Sequence, residues 1–419
     1  MTVDPGSLRS VASSLPLLAK FAIGLVVIVI IPKLSQRVRL PSVVGLLLAG
    51  VVFGPHGLAV IGTTRPVADF LGEIGKLMLM FMAGMEIDLD TFRRVRNRSI
   101  TFGIVTTSLP LILGTGVGFA FGYGALAAIV IGSLLASHTL LASGIVAKLE
   151  LTKLEPINVT YGATMFSDTS SLIVFAICAS TFQRGFSIGS LAILLLEIAL
   201  FIPLVLVGLS RVAGALLGRF ERDQSAYFAV MLAILAVAAT LAQVIQLPGI
   251  VGAFLSGLAL NAAVREKAAK TELEFIGNSL FIPIFFITTG FLIDPRALLH
   301  SITSDAALVA SIIGALVVGK YIAAELTGRA FGYSRDARLT VWSLTLPQVA
   351  ATLAATLVAY DTFDPSHRRL LDERMLNVVL VLMLATSILG PVLTERFAPR
   401  LREEEAAPVE RGEGMRSAA

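Results

Sequence analysis

The sequence predicts an all-α polytopic membrane protein of thirteen transmembrane helices, and three observations carry that prediction. First, 56% of the 419 residues are hydrophobic and only 15% are charged, which excludes a soluble core as the main architecture. Second, apolar runs of about 20 residues, the length that crosses hydrocarbon, recur from about residue 13 almost to residue 397. Third, the loops between these runs alternate between basic and non-basic.

Gly, Pro and charge punctuation places spans near 13–31, 40–58, 67–84, 99–122, 125–148, 157–182, 188–210, 225–245, 247–263, 275–293, 300–328, 337–360 and 373–395. The first run, from Leu15 to Ile31, is longer than a signal-peptide core, and its basic residues Lys33, Arg37 and Arg39 follow it, so it reads as an uncleaved span. Loops assigned to the inside hold 21 basic residues, among them Arg93, Arg94, Arg96 and Arg98; those assigned to the outside hold 7, among them Arg9, Arg184 and Arg296. The bias expects an external N-terminus, a cytoplasmic C-terminus and an odd span number in a bacterial-type plasma membrane. It also explains the net charge of +4 without a nucleic-acid partner. The tail from Glu403 is charged and expected to be disordered, with no appended regulatory domain. The single cysteine, Cys178, builds neither a disulfide framework nor a cysteine metal site, and no cofactor is implied.

Two internal matches define a repeat. The second span carries Leu40, Pro41, Val44, Gly45, Leu48 and Gly50, and the ninth carries Leu247, Pro248, Val251, Gly252, Leu255 and Gly257 at the same spacing. Gly84-Met85-Glu86-Ile87-Asp88 at the end of the third span returns as Gly290-Phe291-Leu292-Ile293-Asp294 at the end of the tenth. An offset of seven spans is odd, so equivalent helices cross in opposite senses, giving two inverted-topology repeats of the kind secondary transporters use.

The repeat pairs the fifth span with the twelfth, and each has a polar break at mid-membrane: Ser137-His138-Thr139 in one, Thr345-Leu346-Pro347-Gln348 in the other. Proline frees a backbone carbonyl, and a broken helix is tolerated in lipid only where protein buries it or it lines a cavity. Crossing discontinuous helices are therefore expected, with His138, Pro347 and Gln348 supporting the break. Asp168 lies about ten residues into the sixth span, about 15 Å deep, where a carboxylate marks an ion or proton pathway. Thr164, Ser167, Thr169, Ser170 and Ser171 supply hydroxyls around it. Lys320 in the eleventh span is comparably deep, and facing a carboxylate it would keep its proton. Glu73 and Lys76 share a helix face and are expected to pair, Lys20 and Glu197 are placed at the periphery or in a linker, and Glu325 near the inner surface reads as a funnel residue. His138 is a candidate pH sensor, although a hydrogen-bonded structural role fits a lone histidine beside a helix break better.

Leu40 to Leu58, Phe81 to Asp88, Val251 to Leu260, Leu280 to Asp294 and the glycine-flanked Lys320 together resemble the monovalent cation:proton antiporter-2 family over nearly the whole chain. The resemblance implies a sodium/proton antiporter fold, with a dimerisation scaffold of residues 1–98 and 225–298, a mobile core of 99–187 and 299–397, a linker helix at 188–224 and a tail at 398–419. It further implies a homodimer, not an enzyme, that exchanges a monovalent cation for H+ by elevator-like alternating access. Na+ is favoured, with K+ as the alternative. Asp168 would take cation or proton, assisted by Ser167, Thr139, Ser137 and carbonyls of the broken spans, with Lys320 stabilising the empty carboxylate. Two departures stand out. Ser167-Asp168 replaces the two acids of electrogenic members, so a one-for-one electroneutral exchange is the simplest expectation, and Ser137-His138-Thr139 replaces the usual Thr-Asp-Pro. A sodium-coupled small-solute symporter and a gated cation channel are the rival expectations, and the channel lacks a filter-like segment.

Overall fold

The computed structural model describes residues 15–37, 42–60, 65–85, 89–151, 154–185, 187–220, 223–264, 268–296 and 303–416. Leu40, Pro41, Glu86, Ile87 and Asp88 of the repeat motifs, and Arg9, Arg39, Lys153, Arg222, Arg265 and Lys267 of the charge count, lie outside these residues. Among the described residues no strand forms; the backbone is helical, with one isolated bridge between Phe363 and Arg369. Among the described residues, eight helices are long and apolar enough to cross a membrane, and four shorter apolar helices accompany them.

Contacts divide the chain into two units, Met1–Ile87 with Gln183–Ser304 and Asp88–Phe182 with Asp305–Ala419. The first contains α1 (Leu17–Arg37), α2 (Ser42–Phe53), α3 (Arg65–Met85), α8 (Ile188–Pro203) continuing through a π-helical turn (Leu204–Leu209) into α9 (Ser210–Arg219), α10 (Gln224–Val244), α11 (Gly249–Val264) and α12 (Ala268–Ile276), which continues through a second π turn (Gly277–Phe281) into α13 (Ile282–Gly290). The seventh span is thus longer than its expected 188–210. Leu18, Phe21, Val26, Val29 and Ile30 point outward from α1, as expected where lipid replaces water. Glu73 and Lys76 pair at 2.6 Å, one helical turn apart. Lys20 is buried, and Glu197 bonds Arg184 at 2.6 Å.

Two close helix crossings organise this unit, and both fall on glycines of the repeat motifs. A Cβ on Gly50 would stand 2.1 Å from the Ile287 carbonyl oxygen and one on Gly290 2.2 Å from that of Leu47, so α2 and α13 touch backbone to backbone. A Cβ on Gly257 would stand 2.0 Å from the Phe81 oxygen and one on Gly84 2.3 Å from that of Phe254, which does the same for α11 and α3. Small residues permit this approach, and dispersion at close range replaces the hydrophobic effect that lipid cannot supply.

The second unit contains α4 (Leu89–Ala120), α5 (Ala125–Ala136), α6 (Ser143–Lys148), α7 (Glu155–Arg184), α14 (Ala306–Ala330), α15 (Arg335–Leu344), α16 (Ala350–Tyr360) and α17 (Glu373–Arg416). Helix α4 kinks at Val95, whose φ/ψ of −111°/17° is non-helical. Phe102, Ala163, Ala323, Ala324 and Val341 pack α4, α7, α14 and α15 together. The segment from Glu403, expected to be disordered, continues α17 as far as Arg416; Arg402 to Ala407 are good helix formers once a preceding helix has nucleated, whereas Pro408, Gly412 and Gly414 beyond them are poor ones. Glu325 bonds Arg338 at 2.8 Å and Arg329 at 2.6 Å, so it is tied into an ion-pair network rather than open as a funnel group.

Gly257→Val should cost about 1–3 kcal/mol, as overpacking against an immovable backbone does, and lower the melting temperature of detergent-solubilised protein. Gly214→Ala in α9, where a Cβ meets nothing within 4 Å, should leave that temperature unchanged or raise it.

Candidate functional site

The site lies in the second unit, where two interrupted helices meet. Helix α5 ends at Ala136, Ser137 is extended (φ −72°, ψ 173°), and α6 resumes at Ser143. Helix α15 ends at Leu344, and α16 resumes at Ala350 after Val349 (φ −136°, ψ −90°). Pro347 disfavours helical backbone at the residue before it, and its ring rests against Gly390 of α17, where a Cβ would collide at 2.5 Å.

The two breaks satisfy each other. The Thr139 N–H donates to the Pro347 carbonyl at 2.8 Å, and Gln348 Nε2 donates to the Ser137 carbonyl at 2.5 Å. Gln348 Oε1 accepts from Thr352 Oγ1 at 2.6 Å, and the Gln348 N–H donates to Thr386 Oγ1 at 3.1 Å. The supporting role expected of Pro347 and Gln348 is therefore a set of specific bonds. Thr139 contributes its backbone N–H to this set. Ser137 offers its carbonyl to Gln348, and its side chain lines a small cavity with Ser133, Ser171 and Thr352.

Asp168 sits near the middle of the 30-residue α7. One carboxylate oxygen, Oδ1, is enclosed and has no hydrogen-bond partner among the described residues, while the backbone N–H of His138 faces the carboxylate. Three hydroxyls of this stretch have main-chain carbonyls of α7 within hydrogen-bonding distance. Ser167 Oγ donates to the Thr164 carbonyl at 2.9 Å, Thr164 Oγ1 to that of Thr160 at 2.9 Å, and Ser171 Oγ to that of Asp168 at 3.0 Å. Each hydroxyl has one proton to give and two lone pairs to offer, so this stretch of α7 presents oxygen acceptors, the ligand type a hard cation takes.

Lys320 is fully buried. Its Nζ donates to the Thr106 carbonyl at 3.0 Å and the Ala136 carbonyl at 2.7 Å, and it stands 3.4 Å from His138 Nδ1. Ala136 is the last residue of α5, so the ammonium caps the negative end of that helix dipole. The pairing with Asp168 that the sequence leads one to expect is consequently an attraction through space rather than a bonded contact, because carbonyl oxygens and a ring nitrogen hold the ammonium. His138 bridges the cluster, with Nε2 2.8 Å from Thr164 Oγ1 and Nδ1 3.3 Å from Ser167 Oγ.

Asp168, Ser167, His138 and Lys320 thus come together, with Ser137 and Thr139 on the adjoining break. Thr106 and Ala136 are not recognisable in the sequence, since they act through backbone carbonyls. Thr352 carries a signal that sequence reading passed over, four residues beyond Gln348 on the same face of the resumed helix.

This geometry, an acid beside one of two mutually bonded helix breaks in a chain with helices long and apolar enough to cross a membrane, agrees with the family comparison. A family model described as the transmembrane sodium/hydrogen exchanger matches residues 23–397. The chain belongs to the sodium/hydrogen exchanger family. It is 42% identical over 384 residues to the Na(+)/H(+) antiporter NhaS5 of Synechocystis sp., covering 92% of this chain and 55% of that protein, so this chain spans about half the length of that relative. It is 25% identical over 382 residues to the probable Na(+)/H(+) antiporter 3 of Methanocaldococcus jannaschii, covering 90% of this chain and 95% of that protein. The solved structure of the sodium proton antiporter MjNhaP1 from the same archaeon shares the fold, with a TM-score of 0.65 at 15% identity, covering 91% of this chain and 98% of that one. Both curated relatives are named as transporters rather than enzymes.

Gln348→Leu would remove the Nε2 donor from the Ser137 carbonyl and the nearer of Thr352's two acceptors. It should destabilise the protein by about 1–3 kcal/mol, seen as a lower melting temperature by scanning fluorimetry in detergent.

Proposed function

We propose that the chain is a secondary active antiporter that exchanges a monovalent cation for H+, one for one, with Asp168 as the group that carries either. Na+ is the favoured cation, in keeping with the names of its relatives, and K+ is the alternative. The observation that carries the reading is the enclosed Oδ1 of Asp168, which has no hydrogen-bond partner among the described residues, on a stretch of α7 whose hydroxyls bond main-chain carbonyls. An uncompensated carboxylate inside a membrane protein is expensive, so the site favours a bound cation or a proton, and the requirement that one or the other be present couples the two fluxes. With Ser167 in place of a second acid, only one carboxylate changes its charge, which supports electroneutral exchange. Ser137, Thr139 and the carbonyls of the two breaks would complete the oxygen shell.

In this proposal the second unit is the mobile core, the first is the scaffold and homodimer face, and transport is elevator-like, in a plasma membrane with the N-terminus outside. Counting each interrupted helix as one crossing is compatible with thirteen spans, an odd number as the charge bias expects. The inverted repeat has support in the glycine crossings. Gly50 and Gly257 hold equivalent motif positions, as do Gly84 and Gly290, and each crossing joins one motif of the first half to the other motif of the second.

The test is proton flux in sealed proteoliposomes under an imposed pH gradient, with Na+, K+, Li+ or choline added and the potential clamped or free. Cation-dependent flux indifferent to the potential is expected, and Asp168→Asn should reduce it to the level of protein-free vesicles while leaving a monodisperse protein. Flux that survives in Asp168→Asn would overturn the assignment, and flux that requires an organic solute would point to symport.

A further inference from the structure

An ammonium has three N–H donors, and Lys320 directs its three at the Thr106 carbonyl, the Ala136 carbonyl and His138 Nδ1. All three acceptors are neutral. The ring can serve as the third because of its tautomer, which the neighbours dictate. An ammonium can only donate, so Nδ1, 3.4 Å from Lys320 Nζ, must present its lone pair, and the ring's one N–H then points at Thr164 Oγ1, 2.8 Å from Nε2. Nε2 is therefore the N–H, and Nδ1 keeps the lone pair that faces Lys320.

We propose that His138 is a positioning residue whose Nδ1 parks the Lys320 ammonium away from Asp168, keeping Oδ1 open and thereby setting the affinity of the carboxylate for its cation. The inference deepens the antiport reading and rests on it. Lys320 and Asp168 already sense each other's charge, and a lysine is a point charge on a flexible four-carbon stem. At low local dielectric the attraction rises steeply as two opposite charges approach. Released from Nδ1, the ammonium would swing onto the partnerless oxygen, and every incoming cation would have to displace it. The bland alternative is that the imidazole only fills the space beside Ser137. Two amides separate these roles. Asn carries its carbonyl oxygen at the δ position, where Nδ1 stands, whereas Gln places its polar group at the ε position, where only Thr164 is within reach.

The experiment measures the cation KM and Vmax of exchange in proteoliposomes, and in parallel the dependence of melting temperature on Na+ against choline in detergent, which reads binding without transport. His138→Leu and His138→Gln should raise the KM roughly tenfold or more, the loss of one hydrogen bond to a charged group, with Vmax within about twofold, and His138→Asn should recover most of the affinity. If His138→Leu does not fold, the Asn and Gln variants decide. An unchanged KM in His138→Gln overturns the proposal, as does equal impairment of the Asn and Gln variants, which would mark a space-filling role. Wild-type protein that gains thermal stability from Na+ without exchanging it would overturn the antiport reading and leave the melting series to judge His138. Neither stabilisation nor flux would overturn both.

Discussion

In hydrocarbon, a backbone amide or carbonyl released from a helix has no water to turn to, and leaving it unsatisfied costs several kcal/mol. Two helices of the second unit are broken at mid-depth, and that cost dictates what surrounds them. Thr139 and Pro347 exchange a main-chain bond, Gln348 reaches across to Ser137, and Lys320 settles on the end of α5. Each break can persist because the other is there. The half-helix ends left at these breaks carry partial charges, and the Lys320 ammonium answers the negative one at Ala136.

Against that background Asp168 is the member of the cluster whose needs are not met internally. The hydroxyls near it have committed their protons to carbonyls of α7, and the ammonium has found neutral partners, so neither supplies Oδ1 with a hydrogen bond. A site that a proton and a cation occupy in turn requires this incompleteness. A carboxylate locked in a tight ion pair would be more comfortable and less able to exchange ligands.

The helices and the enclosed acid at Asp168 were legible in the sequence for reasons of cost. Lipid punishes polar and charged residues, so apolar runs mark the helices, and an acid at the centre of one is tolerated only for use. The glycine motifs were legible because backbone-to-backbone crossings admit only glycine at Gly50, Gly84, Gly257 and Gly290. The breaks announced themselves through Pro347 and the polar run at Ser137 for the same reason. Less was legible at the ends of elements. Helix α17 passes Glu403 without stopping, because a nucleated helix propagates through good formers whatever their charge.

The sequence by itself determined an α-helical membrane protein with an acid at mid-depth and two helices broken opposite each other, since composition, period and burial cost are local properties of the chain. Tertiary structure alone decided which partner each buried group takes. Nothing in the order of residues says that Lys320 rests on the carbonyls of Thr106 and Ala136 and on His138 rather than on Asp168, or that Thr139 serves through its backbone. Main-chain carbonyls are present at every position and carry no signal in the sequence. Only the crossing of the helices selects the few that stand within hydrogen-bonding distance.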